Sequence, residues 1–503
     1  MWREGAERIA ATEGLESGGV DTIARHEVSD ARREARDLPR RYQMMRAFLD
    51  HTKCPPSDVK GITCSSGTGQ EGFFTLGDLR LYGRTAHGRT SPLYQDDLPR
   101  LDSFVSRSHG SVTLPFNPTE LIDNLRLEKY VSAVSSEISY IADSTSTLRR
   151  IYYALRPLLP VPVRRILQRI ALRDWEAIPF PAWPLDTTVE DFIEQLWVLV
   201  LEASGEKQIP FIWYWPKGFL SCAIMTHDVE TAEGQDFCET LLELEREYGI
   251  RSAFELVPEV RYEVSEQVLG AIRRAGGEVC LHGLSHDGRL FSSEQIFRSR
   301  VTAINRYAEK WGAKGFRSPV MYRNQAWYDG FNFSYDMSVP NVAHLDPQRG
   351  GCCSIFPYFI GDIVELPLTT IQDYPLYNIL RCDPLAMWTA QMDAIIAKYG
   401  LVSFIIHPDY TVEPKTQALY RELLRLIRRN GEEKHMWLAL PGEVDTWWRQ
   451  RNSMTLVRQS GTWQVRGIGA SQAAVAYARL ENGRLTYVLP DGSTETAQTP
   501  QRS

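Results

Sequence analysis

From Lys217 to Arg451, short apolar runs alternate with segments whose apolar positions recur at helical spacing. Leu220–Met225, Ser252–Leu256, Glu278–Leu281, Gly315–Arg317, Phe333–Asp336, Ile363–Leu366, Val402–Ile406 and Trp437–Leu440 read as strands. Between them Asp236–Tyr248, Glu266–Ala275, Ser293–Trp311, Pro384–Tyr399 and Thr416–Arg429 read as helices, the first two closed by Gly249 and Gly276. Strand and helix alternating over this length have the size and rhythm of an irregular α/β barrel. A doubly wound open sheet shares that linear pattern, and the pattern alone does not separate the two.

The flanks differ in texture. Residues 1–50 are polar and rich in Arg and Glu. Asp21–Arg46 fits a charged surface helix, and residues 1–20 have the composition of a disordered lead. Lys60–Glu120 reads as short strands and loops, Asn117–Leu155 and Val161–Ala171 as helical stretches. Arg173–Pro184 is extended and aromatic, a strap across the next domain, and Thr187 to Glu190 starts a helix that runs to about Ala203. Beyond Arg451, Met454–Val457, Thr462–Val465, Ala473–Leu480 and Arg484–Val488 read as antiparallel strands, with Asn482-Gly483 as a hairpin turn and Glu495–Ser503 as a loose tail. The expected division is 1–205, an α+β N-terminal extension; 206–451, the barrel; and 452–503, a small β module.

Composition narrows the partners. With 503 residues, 43% hydrophobic and 24% charged, the chain is an ordinary globular protein with room for a large core. A net charge of −7 argues against a nucleic-acid partner, which needs a basic face. The 8 cysteines form no CxxC pair, so no disulfide framework is expected. No secretory h-region comes after Met1 and no apolar run is long enough to span a bilayer, which makes the cytoplasm the default compartment. Residues 149–173 qualify that default: they interleave Arg with apolar positions, a candidate peripheral contact with an anionic membrane.

Two strand ends carry candidate chemistry. Thr226-His227-Asp228-Val229-Glu230 closes the first apolar run, and His282-Gly283-Leu284-Ser285-His286 closes the third. In a parallel α/β fold these ends share one rim, and imidazole with carboxylate suits a divalent ion such as zinc. Gly67–Gly72 matches GxGxxG, but the next residues, Phe73 to Tyr82, are strand-like rather than helical, so a turn is the expectation there and a nucleotide site is not.

These two motifs, with Gly315-Phe316-Arg317-Ser318-Pro319, Ser334-Tyr335-Asp336-Met337-Ser338 and Phe404-Ile405-Ile406-His407-Pro408, resemble in order the signatures of the polysaccharide deacetylase family (NodB homology, carbohydrate esterase family 4). The resemblance covers Lys217–Arg451. It implies a distorted (β/α)7 barrel that binds zinc or a related divalent metal and removes acetyl groups from N-acetylated sugars. By resemblance His282, His286 and Glu230 are the metal ligands, Asp228 the base, Arg317 its orienter, His407 the general acid and Asp336 the carboxylate beside His407. The family's usual first motif has two adjacent Asp residues. Here Val229 takes the second place, so the choice of ligand between Asp228 and Glu230 stays open. His227 reads as a core histidine or a site residue, and Tyr322, Trp327, Tyr328 and Tyr410 as sugar-stacking or rim-packing aromatics. The expected reaction is metal-dependent N-deacetylation of a glycan or glycan precursor. A deacylase or deformylase of a lipid- or nucleotide-linked sugar, and a barrel that binds glycan without turnover, are the alternatives.

Overall fold

The computed structural model describes residues 40–134, 175–380, 382–489 and 494–496. The apolar runs assemble into a nine-stranded sheet. In chain order its strands are β1 (Ser221–Val229), β2 (Ser252–Leu256), β3 (Glu278–His282), β4 (Gly315–Arg317), β5 (Tyr335–Asp336), β6 (Tyr358–Ile360), β7 (Ile363–Glu365), β8 (Leu401–Ile405) and β9 (Met436–Ala439). In space the order is β6–β7–β5–β4–β3–β2–β1–β8, with β9 paired to β1 as well. All pairs are parallel except β6 on β7. β9 lies along the first half of β1 and β2 along the second.

Spatial order thus tracks chain order, and the late strand β8 returns to lie beside β1. A doubly wound sheet would instead reverse at a switch point. The sheet curls, and the gap between β5 and β8 is bridged by the segment after β7. Leu368 N donates to Val339 O at 3.0 Å and Thr370 N to Ser403 O at 3.3 Å. Thr369 Oγ1 donates to Leu401 O at 2.7 Å and accepts from Ser403 N at 2.9 Å. Hydroxyls here stand in for ladder bonds, as a distorted barrel requires.

The local reasons are ordinary. β1 is buried along its whole length, as a strand covered on both faces must be. Thr231, Ser265 and Ser293 each accept a backbone N–H at the start of helices Ala232–Glu247, Glu266–Arg274 and Glu294–Trp311. The expected end of the first strand at Met225 is four residues short. Thr226–Val229 continue in register with Ala253–Leu256, and the polar side chains of Thr226, His227 and Asp228 hid the continuation. Edge strand β6 and helices Asp373–Asn378 and Pro441–Ser453 carried no clear periodic signal.

On the N-terminal side, helix Thr188–Ser204 packs with a small sheet of Ile62–Cys64, Ser106–Ser108 and Ser111–Leu114 and with the hairpin Thr68–Leu76/Leu79–Thr85. The Gly67–Gly72 segment is the irregular start of that hairpin rather than a turn; the turn falls at Gly77, φ +59°. Pro118–Arg126 and Val131–Val134 are helical. Residues 135–155 of the expected Asn117–Leu155 stretch, Val161–Ala171, the basic stretch 149–173 and residues 1–39 lie outside the described residues.

Beyond Arg451, the four expected strands form, with Asn482 and Gly483 both at positive φ in the hairpin turn. Thr455–Gln459 and Thr462–Arg466 make a two-stranded sheet of their own, while Val475–Arg479 of the second hairpin pair with Gln208–Ile212, so that sheet takes in a strand from the far side of the barrel sequence. Thr494–Thr496 extend the sheet where a loose tail was expected. All cysteines in the chain are free thiols. Among the described residues no helix is long and apolar enough to cross a membrane.

Buried polar anchors tie the flanks to the sheet. Arg451 donates to the carbonyls of Trp213, Ile212 and His51 and lies over the rings of Tyr214 and Trp448. Glu190 on helix Thr188–Ser204 accepts from Ser354 Oγ at 2.6 Å and Ile355 N at 3.3 Å. Burial raises its pKa from 4.5 to about 7 against the opposing pull of the Ser354 bond. The folded protein therefore holds this proton more tightly than the unfolded chain. Stability from Glu190 is complete below pH 4.5 and declines as pH rises to about 7, by about 3 kcal/mol in total. Urea unfolding at pH 5 and pH 8 is expected to show a smaller loss in Glu190→Gln than in the parent; an equal loss overturns the assignment.

Candidate metal centre and its flanking acid and base

Alternation along β1 settles which side each motif residue faces. Thr226 and Asp228 point into the sheet's concave side, where both meet Arg317. His227 points out toward the helices. Its Nε2 lies 2.6 Å from Glu245 Oε1 and its Nδ1 2.9 Å from Ile406 O, while Tyr420 and Ser252 also donate to Glu245. His227 is therefore a satisfied core residue. Glu230, two positions beyond Asp228, turns inward again. An Asp-x-Glu sequence thus presents two acids to one space.

Glu230, His282 and His286 offer ligand atoms that all lie within 4.8 Å of one another. Glu230 Oε1 is 2.8 Å from His286 Nε2 and 3.9 Å from His282 Nε2. The close approach to His286 lacks hydrogen-bond alignment, and His286 Nε2 and His282 Nε2 are both buried without a hydrogen-bond partner. Buried orphan nitrogens are rare in folded proteins, and a cation would satisfy both. His282 Nδ1 sits 3.2 Å from Arg317 O, so the proton belongs on Nδ1 and Nε2 is left to bind. Two imidazoles and a carboxylate fit an open zinc site. The loop that brings His286 round requires Gly283 at φ +68°, where a Cβ would lie 2.6 Å from the Pro319 ring.

Electrostatics prepares the donors. Burial favours neutral His286, and this outweighs the Glu230 carboxylate, so its pKa falls. Burial alone would raise Glu230, yet His286 with the neighbouring His282 and His407 holds it well below the usual carboxylate range.

Asp228 stands beside this cluster. Its Oδ1 accepts from Arg317 Nη1 at 2.9 Å, and its Oδ2 lies 3.7 Å from His282 Nε2. Burial pushes its pKa up, but His282, Arg317 and His407 together bring it below the usual value. Arg317 is fully buried, and it also donates to Thr226 Oγ1 and Met337 O. A second acid, Glu255, lies 3.4 Å from the same guanidinium and accepts from His227 N at 3.0 Å. Burial raises Glu255 to about 7, so Asp228 rather than Glu255 carries the stable negative charge.

On the opposite side, His407 Nε2 is 3.6 Å from Glu230 Oε1. Its Nδ1 is 2.7 Å from Asp373 Oδ1, and its backbone N–H donates to Asp373 Oδ2 at 2.7 Å. Burial disfavours the imidazolium, but Asp373, with Glu230 adding, raises its pKa well above the ordinary histidine value.

The carboxylate beside His407 is thus Asp373, which corrects the expectation for Asp336. Asp336 accepts from Ser338 N and Ser338 Oγ and shares a buried pair with Glu365, in which burial raises both pKa values. Its position, in register with Glu365 of β7, commits it to that pair. Asp373 sits in a stretch of no periodic pattern, and Glu255 was legible only as an acid inside the apolar run Phe254–Leu256. Of the aromatics, Tyr410 packs on His407 with ring centroids 4.9 Å apart, and Tyr322 lines the cleft beside His286. Tyr328 is buried among Phe291 and Phe331, and Trp327 stacks on Phe291, which makes both rim packing.

Half of this chain is similar in structure to polysaccharide deacetylases. A Mycobacterium smegmatis protein assigned to that class is 19% identical, with 50% of this chain and 98% of the other covered and a TM-score of 0.38. Puue allantoinase is 14% identical over 47% of this chain and 92% of its own, with a TM-score of 0.37. A family 4 carbohydrate esterase from Streptomyces lividans, in complex with acetate, is 13% identical over 43% and 91%, with a TM-score of 0.26. No protein-family model and no curated protein matches the chain. Likeness at this level assigns no activity, and the chemistry rests on the side chains.

Zinc titration of the metal-free full chain is expected to saturate at a single tight site. His286→Ala should weaken that binding by more than the roughly 10–100-fold that loss of an outer-shell partner costs. Equal affinity in parent and variant would place the ion elsewhere.

Proposed function

We propose that the chain is a metal-dependent hydrolase that removes the acetyl group from an N-acetylated sugar of a glycan or glycan precursor. The observation that carries this reading is the convergence of Glu230, His282 and His286 with Asp228 on one side and His407 on the other. Glu230, His282 and His286 would hold the ion, zinc by donor set. Bound there, a divalent ion supplies Lewis acidity, lowering the pKa of water and polarising a carbonyl.

The chain's own residues divide the proton work. Asp228, kept ionised by Arg317, takes a proton from the attacking water as its oxygen bonds to the acyl carbon. His407, protonated through Asp373, delivers a proton from Nε2 to the sugar nitrogen as the C–N bond breaks. Asp373 binds both Nδ1 and the backbone N–H of His407, so it fixes ring orientation as well as charge. The products are the free amine and acetic acid, which loses its remaining proton to solvent to become acetate, and proton return from Asp228 to His407 restores the starting state. No covalent acyl-enzyme is needed.

Acetate release from N-acetylglucosamine oligomers by the zinc-loaded full chain tests the proposal. His407→Gln should lower kcat by about 10²–10⁴-fold while zinc stoichiometry stays unchanged. Stoichiometric zinc in the parent with no acid released from any acylated sugar would leave only a glycan-binding barrel. Asp373→Asn removes the carboxylate that raises His407, so the alkaline limb of the pH–rate profile should move to lower pH. A profile that does not move would deny Asp373 that role.

A further inference from the structure

One side chain from the N-terminal part of the chain reaches the rim of the site. Glu128 comes just after helix Pro118–Arg126 with its backbone in the left-handed region, φ +56°. Its carboxylate takes the Arg323 guanidinium through two hydrogen bonds: Nε to Oε2 at 2.7 Å, and Nη2 to Oε1. The same carboxylate accepts from Gly351 N at 2.6 Å, and a Cβ on Gly350 would stand 2.5 Å from Oε1. The ion pair is buried, with side-chain exposures of 1% for Arg323 and 9% for Glu128. Arg323 spends its remaining Nη1 on Met321 O at 2.8 Å.

That last bond matters because of the turn it closes. Val320 and Met321 stand at φ +61° and +55°, two successive non-glycine residues in the left-handed region, one of them β-branched. Such a pair is strained and persists only where its surroundings hold it. The turn leaves directly from Arg317, the partner of Asp228. In it, Met321 buries its side chain against Leu368 and Ile405, a small apolar cluster separate from the main core. Ile405, the last residue of β8, stands in parallel register with Thr226 of β1, so its side chain faces the same inner side as Thr226 and Arg317, two residues before His407. Leu368 lies on the segment that leads to Asp373.

We propose that Glu128 is a positioning residue for the site: by fixing Arg323 it holds the Ser318–Arg323 turn, and so sets Met321, with Leu368 and Ile405, as an apolar wall that limits the size of the acyl group. The acyl-size part rests on the deacylase reading above; the clamp on the turn does not. A buried ion pair with a purely structural role would not alter discrimination between substrates, and that difference separates the two.

The test uses the zinc-loaded full chain. Glu128→Gln keeps the shape of the side chain and removes its charge. Amide exchange at Val320–Arg323 should quicken about tenfold or more, with zinc stoichiometry unchanged. The ratio of kcat/KM for N-acetyl over N-butyryl glucosamine should fall about tenfold. Met321→Ala, which leaves the ion pair intact, should lower the same ratio without quickening exchange. Glu128→Gln with exchange or acyl ratio as in the parent overturns the proposal. If Glu128→Gln does not fold, an unchanged ratio in Met321→Ala overturns it. A parent chain inactive on every acylated sugar would remove the deacylase reading alone, and exchange in Glu128→Gln would then decide the clamp.

Discussion

The site depends on a guanidinium buried where no water reaches it. Arg317 is fully enclosed, and the desolvation of such an ion costs several kcal/mol unless opposite charge and acceptors surround it. Asp228, Glu255, Thr226 and the Met337 carbonyl do so, drawn from β1, β2 and the segment after β5. Four strand ends must therefore meet within hydrogen-bond distance of one cation. Desolvation also makes the arrangement asymmetric. Burial raises Glu255 to about 7, while Asp228 gains from His282 and His407 as well and stays ionised. Two carboxylates share one arginine, and their surroundings decide which of them is the anion.

Strand β1 keeps this charge apart from a second buried network. On its inner side Asp228 and Glu230 face imidazoles and Arg317. On its outer side His227 joins Glu245, Tyr420 and Ser252 among the helices. Both ring nitrogens of His227 are within hydrogen-bond reach of acceptors, and Glu245 raises its pKa against the opposing effect of burial. Because His227 Nδ1 faces the carbonyl of Ile406, the outer network also fixes the strand end that delivers His407. The acid and the base are thus linked through packing as well as through the site itself.

The flanking segments complete a fold that its central sheet leaves open. The bridge between β5 and β8 is made by Thr369 and Thr370 rather than by a regular ladder, and loops on that side need outside support. Asp186 and Asn341 exchange hydrogen bonds there, Glu190 holds the Ser354–Ile355 backbone, and Glu128 sits between the loops that carry Arg323 and Gly351. At the other end Arg451 ties the last long helix to the strand Gln208–Ile212 and to the N-terminal helix ending at Thr52. The N-terminal residues thus pack against the very loops that extend from the site's strands.

How much of this was legible depends on the range of the interaction. Apolar periodicity marked all but one strand of the sheet and five of the helices around it, since burial on a strand or helix face leaves a local trace, but it missed Pro441–Ser453. Motif order placed Asp228, His282, His286, Arg317 and His407 at strand ends, and parallel strands bring their ends to one rim. The partner of His407 was not legible. Asp373 lies in an aperiodic stretch, and its sequence neighbourhood resembles that of any loop acid, whereas Asp336 stood at a strand end as the motif suggested. Choosing between them needs to know which segment crosses the gap to β8. The same holds for Glu128, which is separated from Arg323 by nearly two hundred positions. Local pattern determines elements and the direction in which their side chains point. Pairing of charges across distant segments depends on how the chain closes on itself, because Coulomb and hydrogen-bond energies vary with separation in space and not along the sequence.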